Sequence, residues 1–404
     1  MEEKSPVYLV MVTTNNNNKY YRMIPHGDTF EAEYGRVGAS CQHASYSMSQ
    51  WNKKYNEKIK KGYVDQTHLV QDLIQKEKPR GKDGYKEIEN KVIAEIVQRL
   101  QDMAHQKIQA NYKVSSQQVT QAMVDEAQKV IDKLMQREEV EDFNNTLLEL
   151  FSVIPRKMGN VNDYLSRSKE DFARILKDEQ DLLDVMRGQV VTHTVQDEPD
   201  TDDVEEKQET IIEAMGLEFE EATEDDVRMI KSLLGDCRDK FYRAWRVKNI
   251  KTQKRFDEFV NKEHISKTKL LWHGSRNENW WSIINTGLVL RPTNAVITGK
   301  MFGFGIYYAP KARKSLGYTS LSGSYWARGN SNSAFMALMD VAYGKPYDVH
   351  SFDSKYYDFN YERLQKTCPG ANCLHAHAGS MLRNDEIIVY KEDQCTIKYL
   401  VELR

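Results

Sequence analysis

The sequence predicts a multidomain α+β chain, and three observations predict it. At 404 residues it exceeds the roughly 250–300 at which a single hydrophobic core stops growing. Its apolar pattern changes along the chain, from short β-rich runs, to repeats at helical spacing, to a mixture dominated by short strands. Two stretches unsuited to packing divide these regions: residues 75–86, interrupted by Pro79, Gly81 and Gly84, and residues 196–209, which hold eight acids and one lysine. The expected domains are therefore 1–80, 86–192 and 207–404.

In the first region "PVYLVMVTT" and "KYYRMI" are rich in β-branched and aromatic residues and flank the run Asn15–Asn18. Asn tolerates left-handed backbone, so that run is a hairpin turn. "TFEAEYGRVG" is a third strand and "SMSQWNKKYNEKIKKG" a basic helix, which together make a small β-sheet with one helix. From Ile88 to Met186 the period changes: Ile88, Val92, Ile93, Ile96, Val97, Leu100 and Met103 recur at helical spacing, as do the apolar residues of "VTQAMVDEAQKVIDKLM" and "DFARILKDEQDLLDVM". Pro155 and Gly159 break the helices apart, so an all-α bundle is expected. The last region offers a helix around Asp225–Leu234 and the strands "TKLLWHG", "GIYYA", "FMALMDVAYG", "EIIVYK" and "CTIKYLVEL". Strands without regular helical crossovers favour a mainly antiparallel α+β domain.

Composition narrows the class. No apolar run approaches the roughly 18–20 residues of a membrane span, and the N-terminus lacks a basic-then-apolar leader, so no membrane partner is expected. The five cysteines are scattered, which suits reduced thiols and an intracellular location, nuclear in a eukaryote or cytoplasmic and nucleoid-associated in a bacterium. Net charge is only −3, yet residues 1–80 balance to +3 and residues 81–200 to −7. A basic module precedes an acidic middle.

Chemistry concentrates in "KLLWHGSRNENWWSIINTGL" and "KMFGFGIYYAPKARKSLGYTS". "GFGIYYA" is no dinucleotide fingerprint, because the third glycine is missing and β-formers follow where a helix should start. Its glycines are expected to let backbone approach a ligand. Taken singly, His273, Tyr307 and Tyr318 are more often packing residues. Glu386, at the head of "EIIVY", is either a solvated strand-end charge or a positioned carboxylate.

In combination, "LLWHGS", "GFGIYYA" with "KSLGYTS" eleven residues on, and "NDEIIVY" resemble the signature of poly(ADP-ribose) polymerase catalytic domains. "FEAEYGRVG" is similar to the WGR module of that family, and residues 86–190, with "LFSVIPRKMG", resemble its regulatory helical domain. The compact, zinc-finger-free members are the nearest in plan. The fold class implied is a WGR-like β-sheet module, an all-α regulatory bundle and a mainly antiparallel ADP-ribosyltransferase domain.

The resemblance implies NAD⁺ as substrate, no metal in the reaction, and damaged DNA and protein acceptors, the chain itself included, as partners. His273, Tyr307 and Glu386 would be the catalytic set. Gly274, Ser275, Asn279, Gly305, Tyr307, Ser315 and Tyr318 would hold NAD⁺, and Tyr34, Gly35, Arg36 and Gln42 would meet DNA. Gly274 would hold the nicotinamide carboxamide through its backbone, Tyr318 would stack on the ring, and His273 would bond a ribose hydroxyl. Glu386 would stabilise positive charge as the glycosidic bond loosens.

Three positions depart from the family pattern. Tyr34 replaces the tryptophan of the WGR motif, Phe304 stands where these polymerases usually carry lysine, and Asn384 where a tyrosine commonly precedes the catalytic acid. The latter two leave open a mono-ADP-ribosyltransferase or an NAD⁺ glycohydrolase. A DNA-end scaffold with a silent catalytic domain is a further alternative, opposed by Glu386. "CPGANCLHAH" offers Cys368, Cys373, His375 and His377 as zinc ligands, but their spacing is unusually tight and a surface loop is expected.

Overall fold

The structure is a computed structural model that describes residues 4–70, 85–111, 119–196, 209–290, 300–380 and 382–404. The chain forms two compact units, one from 1–82 with 105–190 and the other from 83–104 with 191–404. The interruption expected at 75–86 lies outside the described residues up to Gly84, and the acidic run does so from Asp197 to Gln208. Among the described residues no helix is long and apolar enough to cross a membrane.

The first unit holds a five-stranded antiparallel sheet, order β4-β3-β2-β1-β5, from β1 (Val7–Thr13), β2 (Asn17–His26), β3 (Thr29–Arg36), β4 (Gln42–Ser47) and β5 (Val64–Asp65). The β1–β2 turn works as the asparagine run predicts, with Asn16 in left-handed backbone at φ 57°. Strands β4 and β5 add to the three expected. "QHASYS" turns only Ala44 and Tyr46 inward and stays mostly exposed, so its pairing with β3 leaves little mark in the pattern. Helix α1 (Trp51–Lys60) closes one face, where Trp51 meets Leu9, Tyr21, Met23, Phe30 and Ala32.

Four longer helices follow: α2 (Lys91–Asn111), α3 (Gln121–Leu134), α4 (Val140–Val153) and α5 (Phe172–Gln196). Asn90 starts α2 by accepting from the Val92 and Ile93 amides, leaving Ile88 ahead of the helix. Ile93, Ile96, Val97 and Leu100 are buried, as the spacing predicts. Residues 91–104 of α2 belong to the second unit and the remainder to the first. Helix α4 packs on β1. Arg156, just after α4, pairs through two nitrogens with Glu179 on α5 and lies 4.5 Å over the Phe151 ring. Its carbonyl accepts from Asn18 Nδ2 at 2.8 Å, so a residue of the β-hairpin is fixed to the helical segment.

The second unit carries two sheets. One is antiparallel, order β6-β7-β14-β10-β8, from β6 (Leu217–Glu221), β7 (Phe241–Asn249), β8 (Lys269–Gly274), β10 (Ala334–Val341) and β14 (Cys395–Leu403). The other, order β11-β12-β13-β9, joins β9 (Ile306–Tyr308), β11 (Pro346–Val349), β12 (Cys373–Ala376) and β13 (Glu386–Val389), with one parallel pair between β11 and β12. Helices α6 (Glu224–Leu234) and α7 (Ile250–Lys262) flank the first sheet's strands in sequence, α8 (Trp280–Thr286) follows β8, α9 (Ala312–Leu316) follows β9, and α10 (Tyr361–Thr367) precedes β12. Residues 373–376 are thus a fully buried strand, which corrects the surface-loop expectation. Leu374 and Ala376 fill the core between that sheet and α10, and alternation alone sends their neighbours to the other face.

Arg156 and Glu179 are both nearly inaccessible, at 5% and 9% side-chain exposure. Removing one charge strands the other away from water. Glu179→Gln is expected to destabilise the first unit by about 3–5 kcal/mol. Urea unfolding monitored by circular dichroism measures this, and a loss below about 1 kcal/mol would show that the pair is not held in a dry environment.

Candidate active site

The two sheets of the second unit meet at one backbone bridge, where Trp272 in β8 exchanges hydrogen bonds with Ala309 just after β9 at 2.9 and 3.0 Å. The next residue, His273, donates from Nδ1 to the Tyr307 carbonyl at 3.1 Å. A carbonyl only accepts, so Nδ1 carries the proton and Nε2 keeps a lone pair. Burial pushes the imidazole down to about 4, which keeps it neutral at physiological pH. Gly274 follows because nothing larger fits: a Cβ there would stand 1.9 Å from the Ser315 carbonyl oxygen. Helix α9 is drawn in further by Ser315, whose Oγ donates to the Trp272 carbonyl at 3.0 Å.

A cavity of about 280 Å³ opens at this junction. His273 and Gly274 line it from β8, Gly305 to Ala309 from β9, Lys314, Ser315 and Tyr318 from α9 and the turn after it, and Glu386 from β13. Glu386 is 9% exposed and its Oε1 is in direct contact with Lys314 Nζ. The Tyr307 hydroxyl accepts from the Phe302 amide at 3.0 Å and donates to the Gly303 carbonyl at 3.2 Å. Burial pushes that phenol up, so it acts as a neutral donor. Tyr318 is 40% exposed and its ring lies against Trp326, centroids 6.2 Å apart and 17° from parallel.

Most of the residues singled out in the sequence therefore converge, although they come from segments more than a hundred positions apart. Ser275 and Asn279 do not line the cavity: Asn279 Nδ2 donates to Ser275 Oγ at 3.0 Å, and the pair braces the loop behind Gly274. The glycines of "GFGIYYA" also make room for the protein's own chain: a Cβ at Gly303 would meet the Phe359 carbonyl at 2.2 Å and one at Gly305 the Ile388 side chain at 2.1 Å, while Gly305 lines the cavity as well. Lys314 was not singled out, nor were Leu288, Val289, Lys300 and Met301, all of which line the cavity. The one signal for Lys314 was its place beside Ser315 in a helix facing the strand ends.

In the first unit Tyr34 and Gln42 are register partners across β3 and β4. The Tyr34 ring stacks on Tyr21 at 5.7 Å and packs against the core, with Lys58 Nζ 5.7 Å over it. Arg36 donates to the carbonyl and side chain of Asn16 at 2.8 Å each and to the carbonyls of Met158 and Gly159 at 3.1 and 2.8 Å. Gly35 sits between them in β3, close to the Ser40 carbonyl.

Residues 224–404 match the family model of the poly(ADP-ribose) polymerase catalytic domain, and residues 5–70 that of the WGR domain. The chain is 34% identical over 186 residues to the uncharacterized protein 101L of Invertebrate iridescent virus 6, covering 45% of this chain and 76% of that one. It is 31% identical over 168 residues to a poly(ADP-ribose) polymerase-like protein, 100L, of the same virus, covering 41% and 87%. It is 28% identical over 224 residues to poly(ADP-ribose) polymerase 2 of Zea mays, covering 52% of this chain but only 32% of that one.

The His273 geometry predicts one tautomer. Long-range ¹H–¹⁵N spectra of the imidazole should show the Nδ1–H form unchanged from pH 8 to about 5, with protonation only near 4. Because the folded-state value lies below the usual 6.5, this group's contribution to stability is complete above pH 6.5 and fades as pH falls towards 4. A midpoint near 6.5 would mean that the ring is solvated and not held against Tyr307.

Proposed function

Because the chain belongs to the poly(ADP-ribose) polymerase family, whose enzymes transfer ADP-ribose from NAD⁺, we propose that it is a polymer-forming member switched on by broken DNA. The observation that carries the polymer-forming reading is Glu386, a buried carboxylate that lines the same cavity as His273 and Tyr307.

In this reading nicotinamide lies in the cavity beside Gly274, with Tyr318 and Tyr307 as aromatic walls. His273 Nε2 accepts from a ribose hydroxyl and orients the cofactor without transferring a proton. The bond between the ribose C1′ and the pyridinium nitrogen breaks heterolytically, its electron pair passes to that nitrogen, and neutral nicotinamide leaves. Glu386 stabilises the positive charge left on the ribose. An acceptor oxygen then bonds to C1′, and its proton passes to the Glu386 carboxylate and on to water. When the acceptor is a ribose hydroxyl of an earlier unit, the chain grows. Lys314 pairs with Glu386 and holds its direction until substrate enters.

We assign residues 1–80 to DNA recognition through Tyr34, Gly35, Arg36 and Gln42, 86–192 to regulation and 207–404 to catalysis. The regulatory assignment is supported inside the second unit. Arg99 of α2 donates to Glu402 at 2.9 Å and to Ser333 Oγ at 2.9 Å, with its guanidinium 5.1 Å from the centre of the Phe335 ring. The Ser333 carbonyl accepts from Asn277, in the loop directly after Ser275. Helix α2 thus touches β14 and the head of β10, the strand that pairs with β8, whose last residues line the cavity. A second reading, transfer of a single unit, is favoured by Phe304 and Asn384, which bring no charge to the rim where an acceptor would arrive.

Incubation with labelled NAD⁺ and nicked duplex separates these readings: a ladder is expected, against a single band for mono-transfer. Glu386→Gln keeps the shape without the charge and should lower polymer synthesis at least ~10²-fold. An undiminished ladder from that variant would sink the role given to Glu386. For regulation, Arg99→Ala should raise nicotinamide release without DNA by about 5-fold or more, the lower end of common coupling energies. If the rate with and without DNA is the same as for the unaltered chain, α2 does not restrain the site.

A further inference from the structure

On the face of β12 turned away from Leu374 and Ala376, the strand pairing collects a set of metal-ligating side chains. The parallel register sets Asp348 of β11 opposite His375, and the antiparallel register of Ala376 with Glu386 brings Asp385 beside His377. The His375 and His377 rings stack with centroids 3.9 Å apart and 22° from parallel. Ligand atoms of Asp348, His375 and His377 all lie within 4.8 Å of one another. Neither Cys368 nor Cys373 belongs to this group: the Cys373 thiol is buried and donates to the Tyr343 carbonyl.

The contacts fall on two edges of the stacked pair. On one edge Asp348 Oδ1 is 2.7 Å from His377 Nε2 and 3.9 Å from His375 Nδ1. On the other, Asp385 Oδ2 is 3.0 Å from His375 Nε2 and 3.9 Å from His377 Nδ1. In the metal-free chain His375 Nδ1 accepts from the Tyr343 hydroxyl at 2.9 Å while Nε2 donates to Asp385, and the Asp348 carboxylate meets His377 Nε2. A divalent cation on the Asp348 edge would take the lone pairs of His375 Nδ1 and His377 Nε2, with the Tyr343 hydroxyl turned aside. His375 Nε2 then keeps its proton directed at Asp385, the carboxylate–histidine–metal arrangement that orients ligating rings. Neighbouring ligand atoms in a tetrahedral zinc site are about 3.3 Å apart, and the 2.7 and 3.9 Å separations bracket that value.

We propose that His375, His377 and Asp348 form a binding site for one divalent transition-metal ion of the zinc class, with Asp385 as outer-shell acceptor. Imidazole and carboxylate donors suit zinc, nickel or copper rather than magnesium or calcium. Asp348 and His377 are accessible enough to leave a fourth position for water. The ion sits outside the cavity lined by Glu386 and takes no part in the transfer. It ties β11, β12 and the residue directly before Glu386 together, and so fixes the strand that presents the carboxylate.

The test is calorimetric titration of ZnCl₂ into the chelator-treated full chain. One equivalent is expected to bind and to raise the melting temperature. Asp348→Asn, on an exposed side chain, and His377→Ala should each weaken binding by at least ~10-fold, the smallest loss reported even for outer-shell partners. Cys41→Ser controls for the exposed thiol 3.3 Å from His43 and should leave binding unchanged. The proposal fails if the unaltered chain binds no zinc, if both site variants bind as tightly as it does, or if Cys41→Ser abolishes binding.

Discussion

The site depends on one backbone junction. Two sheets that share no continuous pairing are joined where Trp272 and Ala309 exchange hydrogen bonds, and the ends of β8 and β9 that flank this point line the cavity. Helix α9 can reach it only because residue 274 has no side chain, since its Cβ would overlap the Ser315 carbonyl. The same approach lets Ser315 satisfy the Trp272 carbonyl on its free side. Buried backbone oxygens need partners, so the close contact and the hydrogen bond support each other. A larger residue at 274 would push away the helix that carries Lys314 and precedes Tyr318.

The junction also sets the electrostatics. Burial at the strand ends lowers His273 and raises Tyr307, leaving both neutral, while Glu386 and Lys314 face each other as opposite charges. The cavity therefore combines neutral orienting groups with one anion whose counter-ion is a flexible amine. A fixed anion in a water-poor wall interacts with a developing cation more strongly than one in bulk water. Lysine suits the partner role because its point charge can swing aside, whereas a bidentate arginine would hold the carboxylate in a fork.

In the first unit polar groups do comparable work. Asn18 and Arg36 bind the segment around Arg156 and Met158 through side-chain bonds to main-chain carbonyls, Asn16 Oδ1 accepts from the Val161 amide, and Arg156 in turn is buried against Glu179. Such contacts add modest net stability but fix one arrangement, because breaking the Asn18–Arg156 or Arg156–Glu179 bond leaves a buried group unsatisfied. Arg36 thus has a structural duty in addition to any contact with a ligand.

The sequence by itself determined the types of the strongly patterned elements and the reactive segments. Helical spacing announced the buried face of α2 from Ile93 to Leu100, asparagine's tolerance of left-handed backbone announced the turn at Asn16, and the order of "LLWHGS", "GFGIYYA" and "NDEIIVY" marked His273, Tyr307 and Glu386. Periodicity is local, and so it reports which face is buried but not against what. Only the tertiary structure decided that Gly303 and Gly305 make room for Phe359 and Ile388, that Asn279 braces Ser275 behind the cavity, and that Lys314 pairs with Glu386. It also turned the cysteine- and histidine-rich stretch into a buried strand, separating Cys373 from the histidines and bringing in Asp348 from β11. Each of those outcomes rests on contacts between residues far apart in the chain. Strand register and sheet junctions create them, and neither is written in any single segment.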